Sequence, residues 1–370
     1  TRNVAVGYAA LNANTTGNNT ALGFEALKEN TTGTENVAVG ANALDANTTA
    51  NNGTAIGIGA LGANTTGANN SAVGSYSLGT NTTGTRNVAV GYAALNANTT
   101  GNNNNALGQQ ALVANTTANS NNAFGYQALY VNTTGADNTG IGHGALGSNT
   151  TASNNTAVGS SALLANTTGA NNAAFGFYAG LAITTGARNT AIGSDALRVA
   201  TTGSNNTAVG TNAMYYCTTA SNNAAVGKSA LEANTTGTEN VALGESALKT
   251  STTASYNTAV GCGSLRLATT GASNTAVGKS ALDANTTGSA NVAFGQDALG
   301  ANTTANDNVA IGVHAMGANT TGASNVAIGR GALDVNTTGD QNVAVGKDAL
   351  DANTTADNNT AVGYGAGGKI

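Results

Sequence analysis

The chain repeats itself every 17 residues along nearly its whole length, and this period limits its fold more than any other feature. A glycine that closes an Ala-Val-Gly-like triplet recurs 22 times, from Gly7 to Gly363. The first interval is 16 residues and the next 20 are 17 residues each. The unit reads N-[TV]-A-[VILF]-G-x-x-A-L-x-A-N-T-T-[GA]-x-x. We number its positions 1 to 17, so that the complete unit Asn36–Asn52 runs from position 1 to position 17.

A unit of this length favours one coil of a parallel β-solenoid. Helical-hairpin repeats need about 33 residues or more, and the Thr, Gly and Asn of each unit are weak helix formers. We therefore predict an all-β protein, a parallel β-solenoid of about 22 coils of 17 residues, with two short strands and two turns in each coil. The array is predicted to cover residues 1–363, and residues 364–370 to end it or to begin a following segment.

Charge is scarce. Charged residues make up 8% of the 370 residues, against roughly 25% in ordinary domains. The sequence has no basic stripe for nucleic acid and no apolar run of about 18 residues for membrane insertion. No signal peptide is visible. Because the chain begins at Thr1 rather than Met, we expect it to be part of a longer or processed product.

The turn positions are the most uniform. Position 1 is Asn in every unit except one, where Gly53 replaces it. Asn and Gly both tolerate left-handed backbone, which predicts a turn there. Stacked asparagines are also expected to form an amide ladder. Position 5 is always Gly, which indicates a turn or a close approach of two backbones.

Positions 3 and 4 carry the main inference about assembly. Position 3 is Ala in every unit except at Gly140, and position 4 is always Val, Leu, Ile or Phe. Neighbours on a strand face opposite sides, so one position points into the coil and the other points out while remaining apolar. Soluble proteins avoid such a stripe in water. We therefore expect burial of both faces in a homo-oligomer around its own long axis, with a homotrimer favoured.

The rest of the unit is expected to build further ladders. The Ala-Leu pair of positions 8 and 9 is predicted to form a second strand. The two threonines of positions 13 and 14 are expected to point one hydroxyl inward and one outward. In the first coil, the structural ladder positions are occupied by Asn3, Ala5, Val6, Gly7, Leu11, Asn14, Thr15 and Thr16.

Residues with catalytic or ligand-binding chemistry are few and scattered. His143 and His314 lie ten coils apart, so they cannot share a metal site within one chain. Cys217 and Cys262 stand nearly three coils apart in different positions, which disfavours a disulfide. The glycines match no phosphate-binding or calcium-binding pattern. The sequence predicts no catalytic residue, metal or cofactor, and no enzyme.

Two other uses of the Asn-Thr-Thr triplet stay open. The triplet beginning at Asn14 is formally a glycosylation sequon. Asn14 and Thr16 are also two residues apart, so an ice-binding solenoid with a flat Thr/Asn face is an alternative function. Some coils break that array, for example at Ile183, Ala200, Cys217 and Ala268.

The stacked motif resembles two groups of fibrous proteins. Val4-Ala5-Val6-Gly7-Tyr8-Ala9-Ala10-Leu11 and Asn14-Thr15-Thr16-Gly17 are similar to the repeats in the heads of YadA-like trimeric autotransporter adhesins and in phage tail-fibre shafts. The adhesin repeat is a few residues shorter, which implies a longer turn or strand here. The resemblance implies a trimeric, left-handed β-roll that lies outside the cell, on a cell surface or a virion.

These observations predict a structural or adhesive fibre shaft that provides length and surface attachment. The expected partners are further copies of the chain and an unidentified cell-surface or glycan receptor. Neither terminus shows a polar capping coil, so we expect flanking domains or head-to-tail stacking to cover the ends.

Overall fold

The computed structural model describes residues 2–368 and shows an all-β parallel solenoid with one coil per 17-residue unit and no helix in that range. Thr1, Lys369 and Ile370 lie outside the described residues, so the last part of the 364–370 segment is not covered. Each coil contains one strand of three residues, at positions 2 to 4 of the unit. The predicted fold class and repeat length are confirmed.

The chain divides into two compact units, residues 1–185 and residues 186–370. The first unit contains β1 (Val4–Val6), β2 (Thr20–Leu22), β3 (Val37–Val39), β4 (Thr54–Ile56), β5 (Ser71–Val73), β6 (Val88–Val90), β7 (Asn105–Leu107), β8 (Asn122–Phe124), β9 (Thr139–Ile141), β10 (Thr156–Val158) and β11 (Ala173–Phe175). The second unit contains β12 (Thr190–Ile192), β13 (Thr207–Val209), β14 (Ala224–Val226), β15 (Val241–Leu243), β16 (Thr258–Val260), β17 (Thr275–Val277), β18 (Val292–Phe294), β19 (Val309–Ile311), β20 (Val326–Ile328), β21 (Val343–Val345) and β22 (Thr360–Val362).

Within each unit, a strand pairs in parallel with the strand of the next coil. In the first unit Ala38 pairs with Ala55, and in the second unit Ala259 pairs with Ala276. The register never shifts, so each repeat position stacks on the same position of the neighbouring coil. A residue type that suits a position therefore becomes a continuous row of that residue.

The interior of a coil is very small. Ala38, Ala43 and Leu44, at positions 3, 8 and 9, are fully buried, and the same positions are buried in the following coils. Position 4 faces outward instead, as Ile56 shows with 41% of its surface exposed. The predicted alternation of positions 3 and 4 is confirmed, and the structure shows that Ala is the inward residue.

The prediction of a second strand in each coil was wrong. The Ala-Leu pair lies in a turn, because the backbone at positions 7 and 9 is left-handed: Asn42 has φ 55° and Leu44 has φ 50°. A strand requires φ far on the negative side. The left-handed residues curl the chain so that both Ala43 and Leu44 face inward, and the Leu44 N–H still donates to the Ala60 carbonyl of the next coil at 3.0 Å.

The left-handed residue near position 1 was also assigned to the wrong place. It is the residue before, at position 17, as in Glu35 with φ 61° and Asn52 with φ 58°. Asparagine tolerates this conformation better than most residues, and nine of the 21 residues at position 17 are Asn. The near-invariance of Asn at position 1 therefore has another cause, which lies in its side chain.

The glycine of position 5 is fixed by space and by conformation together. Gly40 has φ 134°, a region that other residues rarely enter. A Cβ on Gly40 would lie 2.6 Å from the carbonyl oxygen of Gly57 in the next coil. Side chains are excluded because the backbones of successive coils touch here.

Candidate functional site

The first asparagine ladder runs through position 1 inside each unit. Asn87 is fully buried. Its Oδ1 accepts the N–H of Asn104 at 2.9 Å, and its Nδ2 donates to the Gly101 carbonyl at 2.8 Å. The shortest hydrogen bonds of this ladder therefore join each side chain to one backbone group of its own coil and one of the next coil. The predicted amide-to-amide ladder is also present in the second unit, where for example Asn206 Nδ2 donates to Asn189 Oδ1 at 3.2 Å. An unpaired buried amide is costly, so this position keeps Asn.

The second asparagine ladder runs through position 12. Asn47 is fully buried, and its Nδ2 donates to Asn30 Oδ1 at 2.7 Å and to the Ala50 carbonyl at 3.2 Å. These are the asparagines of the Asn-Thr-Thr triplets. In complete coils they lie in the interior, so they form no exposed face with the threonine of position 14, and in the folded chain they are inaccessible to a glycosylating enzyme.

The second ladder stops wherever position 12 is not Asn. In the first unit Asn166 precedes Ile183, and Asn166 Oδ1 has no partner. In the second unit Asn234 Oδ1 and the hydroxyl of Ser251 are also buried without a partner. Cys217 occupies the same position, and burial raises the pKa of its thiol to about 12. Neither cysteine is in a disulfide.

The two threonines differ in role. At position 13, Thr48 is half-buried and its hydroxyl donates to the Thr65 carbonyl of the next coil at 3.1 Å. At position 14, Thr49 is exposed. The expected Thr ladder is therefore a row of hydroxyl-to-carbonyl hydrogen bonds from position 13 alone, and neither threonine points into the core.

A row of hydrogen-bond acceptors at position 16 was not predicted from the sequence, because the repeat pattern leaves this position variable. Where the residue here is Asn, Ser or Asp, its side-chain oxygen accepts the position-16 N–H of the preceding coil. Asn102 Oδ1 accepts from Thr85 at 2.8 Å, and Asp357 Oδ1 accepts from Asp340 at 2.7 Å. The signal was available, because position 16 holds only Asn, Ser, Thr, Asp and Ala.

The predicted ladder residues of the first coil are the first members of these rows, at the end where no preceding coil stacks on them. Most of their contacts are those of the other coils, although most of these residues are more exposed. Thr16 is an exception to the position-13 row, because its hydroxyl, at position 14, also has a carbonyl partner. The Asn3 Oδ1 accepts the N–H of Asn19 at 3.0 Å, Asn14 Oδ1 accepts Asn30 Nδ2 at 2.7 Å, Thr15 donates to the Thr31 carbonyl at 2.8 Å, and Thr16 donates to the Gly33 carbonyl at 3.1 Å. Ala5 and Val6 pair with β2, Leu11 has φ 53° and Gly7 has φ 133°.

The outer ridge is the row of position-4 side chains. Its members are Val6, Leu22, Val39, Ile56, Val73, Val90, Leu107, Phe124, Ile141, Val158 and Phe175 in the first unit, and Ile192, Val209, Val226, Leu243, Val260, Val277, Phe294, Ile311, Ile328, Val345 and Val362 in the second. Most are exposed by more than a third, and Phe294 by 56%. The isolated chain therefore presents an uninterrupted apolar row to solvent in each unit.

The row beside the outer ridge, at position 6, differs between the units. In the first unit it contains exposed aromatic side chains, including Tyr8, whose ring stacks on Phe24 with centroids 5.3 Å apart. In the second unit it contains Lys228, Lys279, Arg330 and Lys347, and also Glu245. The first unit as a whole has eight charged residues and the second has 21.

Each unit has a surface cleft where glycines replace larger residues on the outside of the coil. The cleft of the first unit has a volume of about 270 Å³ and includes His143. The cleft of the second unit has a volume of about 490 Å³ and includes His314. No group of three or more His, Cys, Asp or Glu side chains within residues 2–368 is arranged to hold a metal ion.

Comparison with known protein families found no family model that matches the chain, and comparison with curated proteins found no matching sequence. Within the described part of the chain, no helix has the length and apolar character needed to cross a bilayer.

Proposed function

We propose that the chain is the shaft of a structural or adhesive fibre, and that three copies assemble along their outer ridges. The observation that carries the proposal is the ridge itself, which is Val, Leu, Ile or Phe in all 22 coils. Exposed apolar area of this extent on a soluble protein marks an interaction surface. A surface that runs from coil to coil is best covered by a partner with the same repeat, and another copy of the chain has it.

Closed rotational symmetry explains why a single apolar row in each unit is sufficient. In a ring of parallel copies, the ridge residues of a unit face the same residues of the other copies around a common axis. The resemblance of the repeat to trimeric adhesin heads favours three copies. The proposed shaft would lie outside the cell, on a cell surface or a virion, and would hold a receptor-binding surface at a distance from its base.

The proposal is tested by the mass of the protein in solution. Light scattering coupled to size-exclusion chromatography is expected to give three times the chain mass of 35.7 kDa. A stable monomer would refute the assembly. The same sample is expected to show no thermal hysteresis on freezing, since the asparagines of position 12 are buried and only the threonines of position 14 form an exposed row.

A charge on the ridge provides a sharper test. Ile141→Asp and Ile192→Asp place a carboxylate on the ridge of the first and second unit, and we expect the double variant to dissociate into monomers because burial of an unpaired charge is costly. Thr168→Asp and Thr219→Asp are matched controls on the exposed row of position 14, and they should leave the trimer intact. Equal behaviour of both pairs would contradict the proposed interface.

A further inference from the structure

The cleft of the first unit is formed by the absence of side chains. Gly144 and Gly147 stand at positions 7 and 10 of one coil, where most other coils have larger residues. Tyr130, at position 10 of the preceding coil, forms one wall, and Leu164, at position 10 of the following coil, forms the other. Leu164 leans toward the gap, since a Cβ on Gly147 would lie 2.9 Å from its Cδ1.

The lining of this cleft combines an aromatic ring with neutral polar groups. Gln127, Ser148 and Ser161 contribute one amide and two hydroxyls, and Ser161 is 8% exposed. The Gln127 amide is held by a hydrogen bond from its Nε2 to Gln110 Oε1 at 3.1 Å. His143 lies at the edge of the cleft, with its ring stacked on Tyr126 at a centroid distance of 5.4 Å. The Gln127 amide is therefore positioned before any ligand arrives.

The surroundings are almost free of charge. From residue 87 to residue 185 the only Asp, Glu, Lys or Arg is Asp137. A charged ligand gains its affinity mainly from opposite charges, and this stretch offers almost none. A neutral ligand with both apolar C–H faces and hydroxyl groups matches the lining, because C–H groups pack on aromatic rings and hydroxyls pair with amides and serines.

We infer that this cleft binds one ring of a neutral sugar, with the ring face against Tyr130 and the hydroxyls toward Gln127, Ser148 and Ser161. The volume of about 270 Å³ lies just below the range of about 300–1,000 Å³ that is typical of small-molecule sites, so the cleft takes a single ring of a longer glycan. The inference deepens the proposed attachment role by naming the class of receptor.

The cleft of the second unit is a natural comparison. Gly300 and Gly317 open it at position 10 in the same way, and a Cβ on Gly317 would lie 2.7 Å from Asp334 Oδ1. Its lining is acidic, with Asp283, Asp297 and Asp334 in place of the aromatic, amide and aliphatic groups. A neutral sugar finds no aromatic wall there, so we expect this cleft to bind none.

Saturation-transfer difference NMR on the full chain tests the inference. The probes are the methyl α-glycosides of glucose, galactose and N-acetylglucosamine, each at about 10 mM, a concentration that occupies most of a site with a Kd of about 1 mM. At least one probe is expected to receive saturation, mainly on the protons of one ring face. Two variants should each reduce this signal at least fivefold: Tyr130→Ala, which removes the wall, and Gly147→Asn, which fills the gap with a residue that position 10 has at Asn12 and Asn96.

Gly300→Asn is the matched control, because it fills the acidic cleft and should leave the signal unchanged. Circular dichroism confirms that each variant has the wild-type fold. The inference is overturned if none of the three probes receives saturation, or if the signal survives in both Tyr130→Ala and Gly147→Asn. The outcome is independent of the assembly: a trimer that binds no sugar refutes only this inference, and a monomer that binds sugar refutes only the proposed trimer.

Discussion

Ile183 lies beside Gly180 and fills the space that a leucine of position 9 fills in most other coils. A Cβ placed on Gly180 would lie 3.1 Å from Ile183 Cδ1 and 2.9 Å from Leu163 Cδ2. Ile183 is 1% exposed and stands at position 12, which is Asn in most coils. A large residue has moved from position 9 to position 12, and the polar rung of that coil was lost in the exchange.

The effects on stability of substitutions at residues 180 and 183 should therefore be strongly coupled. Ile183→Ala leaves a cavity and should destabilise its coil by about 2–5 kcal/mol, and Gly180→Leu alone overpacks it at a cost of about 1–3 kcal/mol. The double variant Gly180→Leu/Ile183→Asn restores the arrangement of the other coils and offers a donor to Asn166 Oδ1. It should be more stable than Gly180→Leu alone, as measured by hydrogen exchange of residues 155–185. Additive costs of Gly180→Leu and Ile183→Asn would contradict this packing.

Loss of one rung of the first asparagine ladder should cost far more than loss of an exposed polar group. Asn87→Ala leaves the buried Asn104 N–H without its acceptor, and a buried unpaired group costs about 1–3 kcal/mol. The Gly101 carbonyl loses one of its two donors and keeps Asn98 Nδ2 at 3.0 Å. Thr100→Ala, on the exposed row of position 14, should change stability by less than about 0.5 kcal/mol. Chemical denaturation of the two variants side by side measures the difference. Similar midpoints for both would show that the ladder adds little.

The glycine of position 5 should be irreplaceable, while a glycine of position 10 should not be. Gly210 has φ 132°, and a Cβ there would lie 2.6 Å from the Gly227 carbonyl oxygen. Gly210→Ala must therefore separate two coils, and we expect a large fall in melting temperature or in the yield of soluble protein. Gly300→Ala is the control, because its Cβ would meet only its own coil, at 3.2 Å or more. A Gly210→Ala variant that melts like the wild type would refute the close contact.

The two thiols should differ in reactivity at neutral and mildly alkaline pH. The thiolate is the reactive species. With its pKa raised to about 12 by burial, Cys217 has almost no thiolate at pH 8, whereas Cys262 is exposed. A disulfide reagent at pH 8 should modify Cys262 in the native protein and Cys217 only after denaturation. The Cys262→Ser variant supplies the control, and rapid labelling of that variant in native buffer would contradict the burial of Cys217.

The coil length, the fold class and the presence of an inward and an outward side on each strand could be predicted from the sequence. Every position repeats, so its side-chain type indicates its environment. Position 9 shows where that reasoning stopped. Leucine normally indicates a strand or a helix, and nothing in the letter signals that Leu44 has φ 50°. Its conformation is imposed by the hydrogen bonds and the tight interior of the stacked coils, which override the local preference of the residue.

The outward positions were harder to interpret for a different reason. Position 16 looked variable because three residue types, Asn, Ser and Asp, supply the same acceptor, and other coils have Ala or Thr there. The cleft at Gly144 and Gly147 depends on what is missing from one coil and on which residues, Tyr130 and Leu164, stand on either side. Such a feature belongs to no single unit of the repeat, so comparison of the units position by position passes over it.

The asparagine rungs of position 12 all point the same way, each donating to the coil before it. An interruption therefore always strands an oxygen, as at Asn166 and Asn234, whereas insertion of a complete unit leaves every rung paired. The number of repeats in the gene can therefore change easily. Gain or loss of whole 17-residue segments keeps every hydrogen bond of the ladder, whereas gain or loss of a partial segment does not. The identity of residues 1–19 and 85–103 is the kind of trace that such copying leaves.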